Sequence, residues 1–158
     1  MKKNTLIKLV LLILFIVALN SLKAQTSSEK VHKEILETLK LWNTAASAAN
    51  VDKAILLFDN SDNIMLIGSD SGEVYKGKDQ IKGWLTQIFK NVSFSWEMNR
   101  IDIDYNGNTA WLFVDGLMIV KFNNGETFKK PYRFSGIMVK KKKTWKWRLF
   151  DGSEPKQQ

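Results

Sequence analysis

The second half of the chain, from Val92 to Pro155, has few ways to fold. Long runs rich in Phe, Trp, Val, Ile and Tyr are separated by Asn106-Gly107-Asn108, by Asn123-Asn124-Gly125 and by the lysine run Lys140 to Lys143. Asn-Gly pairs supply the positive φ angles of tight hairpin turns, and the flanking residue types fit a pleated, half-buried surface. The spacing predicts an antiparallel meander of four long strands at about 92–105, 109–122, 126–139 and 144–150.

Helical periodicity dominates before it. Val31, Ile35, Leu39, Trp42, Ala46 and Ala49 follow one another in steps of three and four, one stripe of a helix over about 28–50. Asp52 is placed to cap a short helix over 53–58. Two short strands at 64–67 and 73–75 flank the turn Ser69-Asp70-Ser71-Gly72, with Asp70 read as solvated. Gly77 breaks the chain, and a third helix opening at Asp79 carries Ile81, Trp84, Leu85, Ile88 and Phe89 on one face. The fold class is therefore α+β, helices first and an antiparallel sheet after.

Residues 1–24 stand apart. Met1-Lys2-Lys3 is a basic start, Leu9 to Leu19 is an apolar run, and Ala24 precedes Gln25, the pattern of a secretory signal peptide. The apolar run falls short of the roughly 20 residues that a spanning helix needs. The expectation is an exported protein, periplasmic or secreted, with no membrane attachment once the leader is gone. The remaining 25–158 is the size of one domain.

Charge and cysteine usage narrow the function. The leader holds Lys2, Lys3, Lys8 and Lys23 and no acid, so half of the net charge of +8 leaves with it. Much of the remaining excess is the lysine run in a hairpin turn, too narrow a footprint for nucleic acid. The chain has no cysteine, so burial of apolar surface rather than disulfides must stabilise it. His32 is the only histidine, an exposed helix residue by its neighbours Lys33 and Glu34. Zinc sites of the usual His/Cys types are not expected on those grounds, nor is a Ser-His-Asp arrangement, for which His32 would have to serve as the base. No metal or cofactor is expected.

Strand parity points to surfaces. In 109–122 one face carries Ala110, Leu112, Val114, Gly116, Met118 and Val120, and the other Trp111, Phe113, Asp115, Leu117 and Ile119. An antiparallel strand apolar on both faces needs a cover on each. The helices supply one cover, and a second copy of the chain, as a homodimer, is the expected other. If the last strand runs without a bulge, Trp145, Trp147, Leu149, Asp151 and Ser153 share the covered face, with Asp151 and Ser153 at its rim. Arg133, in an apolar strand, calls for a carboxylate, and Asp115 on the neighbouring strand is the candidate.

The order of elements, together with Trp42, Gly77-Lys78-Asp79-Gln80-Ile81, Asn108-Thr109-Ala110-Trp111, Tyr132-Arg133-Phe134-Ser135 and Trp145 through Ser153-Glu154-Pro155, resembles the SnoaL-like branch of the nuclear transport factor 2-like superfamily. The resemblance spans 25–158 and implies a cone-shaped fold, with N-terminal helices packed in a strongly curved antiparallel sheet around an apolar pocket. Members of the branch often carry His two residues before the terminal Ser; here Asp151 stands there. Ketosteroid isomerases and polyketide cyclases of the superfamily place an Asp in the pocket as general base, while other members bind or associate without chemistry.

The ligand-lining candidates are Trp42, Trp111, Arg133, Asp151 and Ser153, and the candidates for a base are Asp151 and Asp115. No acid–base pair is evident. The leading expectation is non-catalytic binding of a small apolar or aromatic molecule between the first helix and the sheet. An isomerase, cyclase or dehydratase using a pocket Asp, and a pure protein–protein association module, are the alternatives. For export, the expected intact mass of the naturally expressed protein is that of a chain beginning at Gln25; a mass that retains residues 1–24 overturns cleavage.

Overall fold

The computed structural model describes residues 28–156, so the expected leader lies outside the described residues. The chain divides into two units, Met1–Ile35 and Leu36–Gln158. In the first, 28–35 is helical, and His32 Nδ1 lies 3.0 Å from the Ser28 carbonyl oxygen one turn back. No helix among the described residues is long and apolar enough to cross a membrane.

The second unit begins with helix α1 (36–47), which ends where Ala49 takes a positive φ of 48°. The short helix α2 spans Val51–Ile55. Asn50, not Asp52, is its cap: the Asn50 side chain accepts the Lys53 amide at 2.9 Å. Strands β1 (Met65–Ile67) and β2 (Val74–Lys76) form a hairpin. Helix α3 (Gly77–Ile88) opens two residues earlier than its sequence suggests, because Gly77 enters the helix with a φ of 73° and Gln80 reaches back to the Lys76 amide at 2.9 Å.

The meander follows as β3 (Val92–Asn106), β4 (Thr109–Phe122), β5 (Thr127–Lys141) and β6 (Thr144–Ser153). The six strands make one sheet in the order β2-β1-β6-β5-β4-β3. Every junction is antiparallel except β1 with β6, which is parallel. A parallel pair is reached only through a long connection, and here the whole of α3 and the meander supplies it.

Parity along β4 is as the sequence predicts. Ala110, Leu112, Val114, Met118 and Val120 are buried on the inner face, while Trp111 is 47% exposed on the outer. Parity along β6 is not. Ile137 of β5 pairs with Leu149, but Met138 pairs with Trp147, so Arg148 is an extra residue, a β-bulge. A one-residue slip moves every later side chain to the opposite face. Trp145 and Trp147 therefore share the inner face with Phe150 and Gly152, not with Leu149, Asp151 and Ser153.

The bulge is held by the segment before β1. The Asp59 amide donates to the Trp147 carbonyl at 2.9 Å, and the Trp147 amide to the Leu57 carbonyl at 2.8 Å. The Arg148 guanidinium is ion-paired with Asp59, whose residue is only 5% exposed, and Lys141 stands 3.9 Å from the same carboxylate. Burial works to raise the Asp59 carboxyl, but the Asn60 amide, Arg148 and Lys141 outweigh it and hold it below its ordinary value of 3.8.

The core lies between the helices and the inner sheet face. Trp147, fully buried, packs edge-on against Trp42, Phe134 and Phe150 at centroid distances of 6.5, 6.4 and 5.4 Å. Its ring crosses Gly136, where an added Cβ would lie 2.6 Å from the indole and 2.5 Å from the Leu149 carbonyl oxygen.

The outer face carries Trp111 and Ile137, both exposed, and Phe113, Leu117, Ile119 and Leu149, which are only partly covered. Ion pairs are interspersed: Arg100–Asp102 at 2.7 Å, Lys129–Glu97 at 2.5 Å and Arg133–Asp115 at 2.7 Å.

Because the folded Asp59 carboxyl titrates below the unfolded one, it contributes stability that is present above pH 3.8 and lost as the pH falls through its lowered value. Asp59→Asn is expected to lower the melting temperature at neutral pH and to flatten the acid limb of the stability profile. Thermal melts between pH 2 and 7 check it, and an unchanged acid limb overturns the assignment.

Candidate functional site

A cavity of about 350 Å³ opens between α1, α3, the β1–β2 hairpin and the inner sheet face. Each element contributes what its sequence pattern dictates. Helix α1 presents Trp42 and Ala46, one turn apart on its apolar stripe. Helix α3 presents Trp84, Leu85 and Ile88. Alternate residues of the strands complete the wall: Phe94 and Trp96 from β3, Met118, Val120 and Phe122 from β4, Phe128, Lys130 and Tyr132 from β5. Phe150 is present only because of the bulge at Arg148.

The wall is largely aromatic. Trp42, 3% exposed, stacks on Trp96 with centroids 6.0 Å apart and planes at 19°. Phe94 tilts against Trp96 at 6.4 Å, and Phe122 against Phe128 at 5.9 Å. Trp84 stacks on Tyr75 at 5.3 Å. Asn43 ties α1 to this wall: its Oδ1 accepts from the Trp96 amide at 2.8 Å and its Nδ2 donates to the Trp96 carbonyl at 3.3 Å. Among the described residues, three indole N–H groups are buried without a hydrogen-bond partner, those of Trp42, Trp96 and Trp147.

Polar groups gather at one side. Ser69, Asp70 and Glu73 come from the hairpin, Lys130 and Tyr132 from β5, and Glu154 from the residue after β6. Glu154 takes an ion pair from Lys130 and a hydrogen bond from the Ser69 hydroxyl at 3.2 Å, and Glu73 accepts the Asp70 amide at 3.1 Å. Tyr132, 6% exposed, crosses Gly152, where a Cβ would strike the phenol oxygen. Burial pushes its hydroxyl up to about 12, opposed by hydrogen bonding with Ser69 and reinforced by the charges of Glu73, Glu154 and Asp151. At neutral pH this phenol is a donor, not a base. No group of three or more His, Cys, Asp or Glu placed to hold a metal occurs among the described residues.

Of the residues singled out from sequence, Trp42 lies in the cavity wall. Trp111, Arg133, Asp115, Asp151 and Ser153 are not in the lining and belong to the outer face. Trp111 pairs with Ile137 across β4 and β5. Arg133 and Asp115 face each other there as a half-exposed ion pair, of the kind worth about 0–1 kcal/mol. Asp151 and Ser153 are turned outward by the bulge, although the charge of Asp151 still reaches the Tyr132 phenol. Tyr132 could have been placed from its parity with Phe134, since the two flank outward Arg133. The hairpin residues Ser69 and Asp70 have no such signal, because their approach to Glu154 is purely tertiary.

The SnoaL-like domain family matches residues 35–153, and the chain belongs to it. No curated protein matches the sequence. Solved structures share the nuclear transport factor 2-like cone. A protein from Novosphingobium aromaticivorans assigned as a scytalone dehydratase superposes with a TM-score of 0.74 at 14% identity, over 84% of this chain and 89% of the other. A nuclear transport factor 2-like superfamily protein from Salmonella enterica gives 0.71 at 20% identity, over 84% and 94%. A ketosteroid isomerase-like protein from Erwinia carotovora gives 0.65 at 16% identity, over 79% and 96%. At these identities the likeness concerns the fold alone.

A phenol with a raised pKa contributes stability that is complete below its unfolded value of 10.0 and is lost as the pH rises toward 12. Tyr132→Phe is therefore expected to flatten the alkaline limb of a denaturation profile between pH 9 and pH 12. An identical limb in the variant would mean that the phenol is not held as described.

Proposed function

We propose that this SnoaL-like chain is an exported binding protein that holds one small apolar or aromatic molecule in the cavity between α1 and the curved sheet, without chemistry on it. The observation that carries the reading is the cavity itself, about 350 Å³ walled by Trp42, Trp84, Phe94, Trp96 and Phe128. Aromatic concavities with a few polar groups at one side are the usual form of small-molecule sites. The most deeply buried titratable group in the lining, Tyr132, stays protonated at neutral pH and suits orientation rather than proton abstraction. Export rests on the basic start, the apolar run and Ala24.

The outer sheet face supports a homodimer. Trp111 and Ile137 are 47% and 37% exposed side by side, and the apolar row continues through Phe113, Leu117 and Ile119. An apolar patch of this kind suits two-fold pairing.

A second reading is proton transfer beside a carbonyl, as in an isomerase, cyclase or dehydratase. It is favoured by one observation, the placing of Glu73 and Glu154 beside a phenol that can donate to a developing oxyanion. A proton-exchange rate governed by a single carboxylate would favour it over binding alone. A pure association module, by contrast, would have its cavity filled by its own tryptophans.

Native mass spectrometry of the protein purified from its source tests the leading reading. The expected result is twice the chain mass with one small apolar molecule per chain, released by organic solvent. A monomer overturns the dimer; a protein that carries no molecule and takes up no aromatic probe overturns the binding reading.

A further inference from the structure

We infer that the surface over residues 56–60 is a second binding site, for a phosphate group held between the ammonium groups of Lys78 and Lys146. None of these residues lines the aromatic cavity, so the inference goes beyond the binding reading and can fail independently of it.

The observation that carries it is the way two like charges are brought together. Lys146 of β6 donates to the Leu56 carbonyl, and Lys78, in the first turn of α3, donates to the Asn60 side-chain oxygen. Both acceptors are neutral. Among the described residues neither ammonium forms an ion pair with a carboxylate. The two stand close enough that the charge of Lys78 adds to burial in holding Lys146 below its ordinary value of 10.5. Like charges kept together at a partly covered surface are unfavourable until an anion joins them.

The surroundings strengthen the field. Arg148 and Lys141 reach the same short segment at Asp59, which is its only acid and is buried beneath Arg148. Four cations therefore face one carboxylate that is already occupied. A polar hollow opens beside Lys78, lined also by Asn60, Ser61 and Lys76; Asp62 and Asp79 border it too, but pair with neither lysine. The fold thus adds Lys78, Lys146 and Arg148 to one end of the lysine run 140–143.

The class of anion follows from the charges. A carboxylate brings one negative charge. A phosphate monoester brings about two at neutral pH and three acceptor oxygens, enough to meet both lysines and the Asn60 amide together. Lysine binds phosphate as a point charge and needs no fixed fork. A soluble monoester and a lipid headgroup present this same group.

Methyl phosphate and acetate, compared by calorimetry on the mature protein at constant ionic strength, test the site. Vesicles of phosphatidate in phosphatidylcholine, read by co-sedimentation, separate the two sources. Methyl phosphate is expected to bind saturably, one per chain, at least about tenfold more tightly than acetate, and to move the amide resonances of 57–60 and 77–79 but not those of Trp42 and Trp96. Lys78→Gln and Lys146→Gln are each expected to weaken it about tenfold, the loss of one charge-assisted hydrogen bond. Lys129→Gln, on the outer sheet face, is expected to leave it unchanged. If Lys146→Gln fails to fold, Lys78→Gln and the resonance shifts decide. Binding of the vesicles and not of methyl phosphate, weakened by the same two substitutions, assigns the phosphate to a lipid headgroup. Binding of neither, equal binding of acetate, or an equal loss in Lys129→Gln overturns the site and leaves the aromatic cavity untouched.

Discussion

The ion pair between Asp59 and Arg148 fixes more than its own corner of the molecule, because Arg148 is the extra residue of the β6 bulge. Side chains along a strand alternate, so one inserted residue exchanges the two faces for everything that follows. With the bulge in place, Phe150 enters the cavity wall and Gly152 leaves room for the Tyr132 phenol. Without it, Leu149 would stand in the place of Phe150 and Asp151 in the place of Gly152, against the Tyr132 phenol. The parallel pairing of 57–59 and of β1 along β6, on either side of Arg148, depends on the same local geometry. A buried carboxylate is costly unless paired, so the pair specifies this register rather than adding much net stability.

Cavity and core are built from the same side chains. Trp42 touches Phe58, Trp147 and Phe150 in the core and Trp96 in the cavity wall. The space is therefore an interruption of a packed aromatic cluster, with walls held in place from behind. That is the condition under which a pocket keeps its shape when empty and binds without reorganising. The polar side is built differently, from a turn, a strand and the segment after β6, joined through Glu154 to Ser69 and Lys130. The chain carries a net positive charge, yet this corner gathers three carboxylates, which gives the site a local field opposite to that of the whole molecule.

The two sheet faces differ in their cover. The inner face is packed against helices and borders the aromatic cavity with its polar side. The outer face is apolar in the middle and edged by Arg100–Asp102, Lys129–Glu97 and Arg133–Asp115. Such exposed pairs contribute little to folding, but they limit which surfaces can pack against the face and in what register.

Local pattern alone determined the helix stripe of Val31 to Ala46, the hairpin turns at Gly107 and Gly125, the four long strands and the face assignment of β4, because each depends on residues adjacent in sequence. From these, Trp42 was legible as a cavity residue and Trp111 and Asp115 as belonging to the opposite parity from Val114. The rest needed the tertiary structure. A bulge has no reliable sequence mark, and Arg148 becomes one through a carboxylate 89 residues away, which is why Asp151 and Ser153 looked inward and lie outward. The helix cap at Asn50 was decided by which side chain reached the Lys53 amide. The site's polar side, Ser69 and Asp70 against Tyr132 and Glu154, exists only where the β1–β2 hairpin meets the end of the meander, and no periodicity within either segment records that meeting.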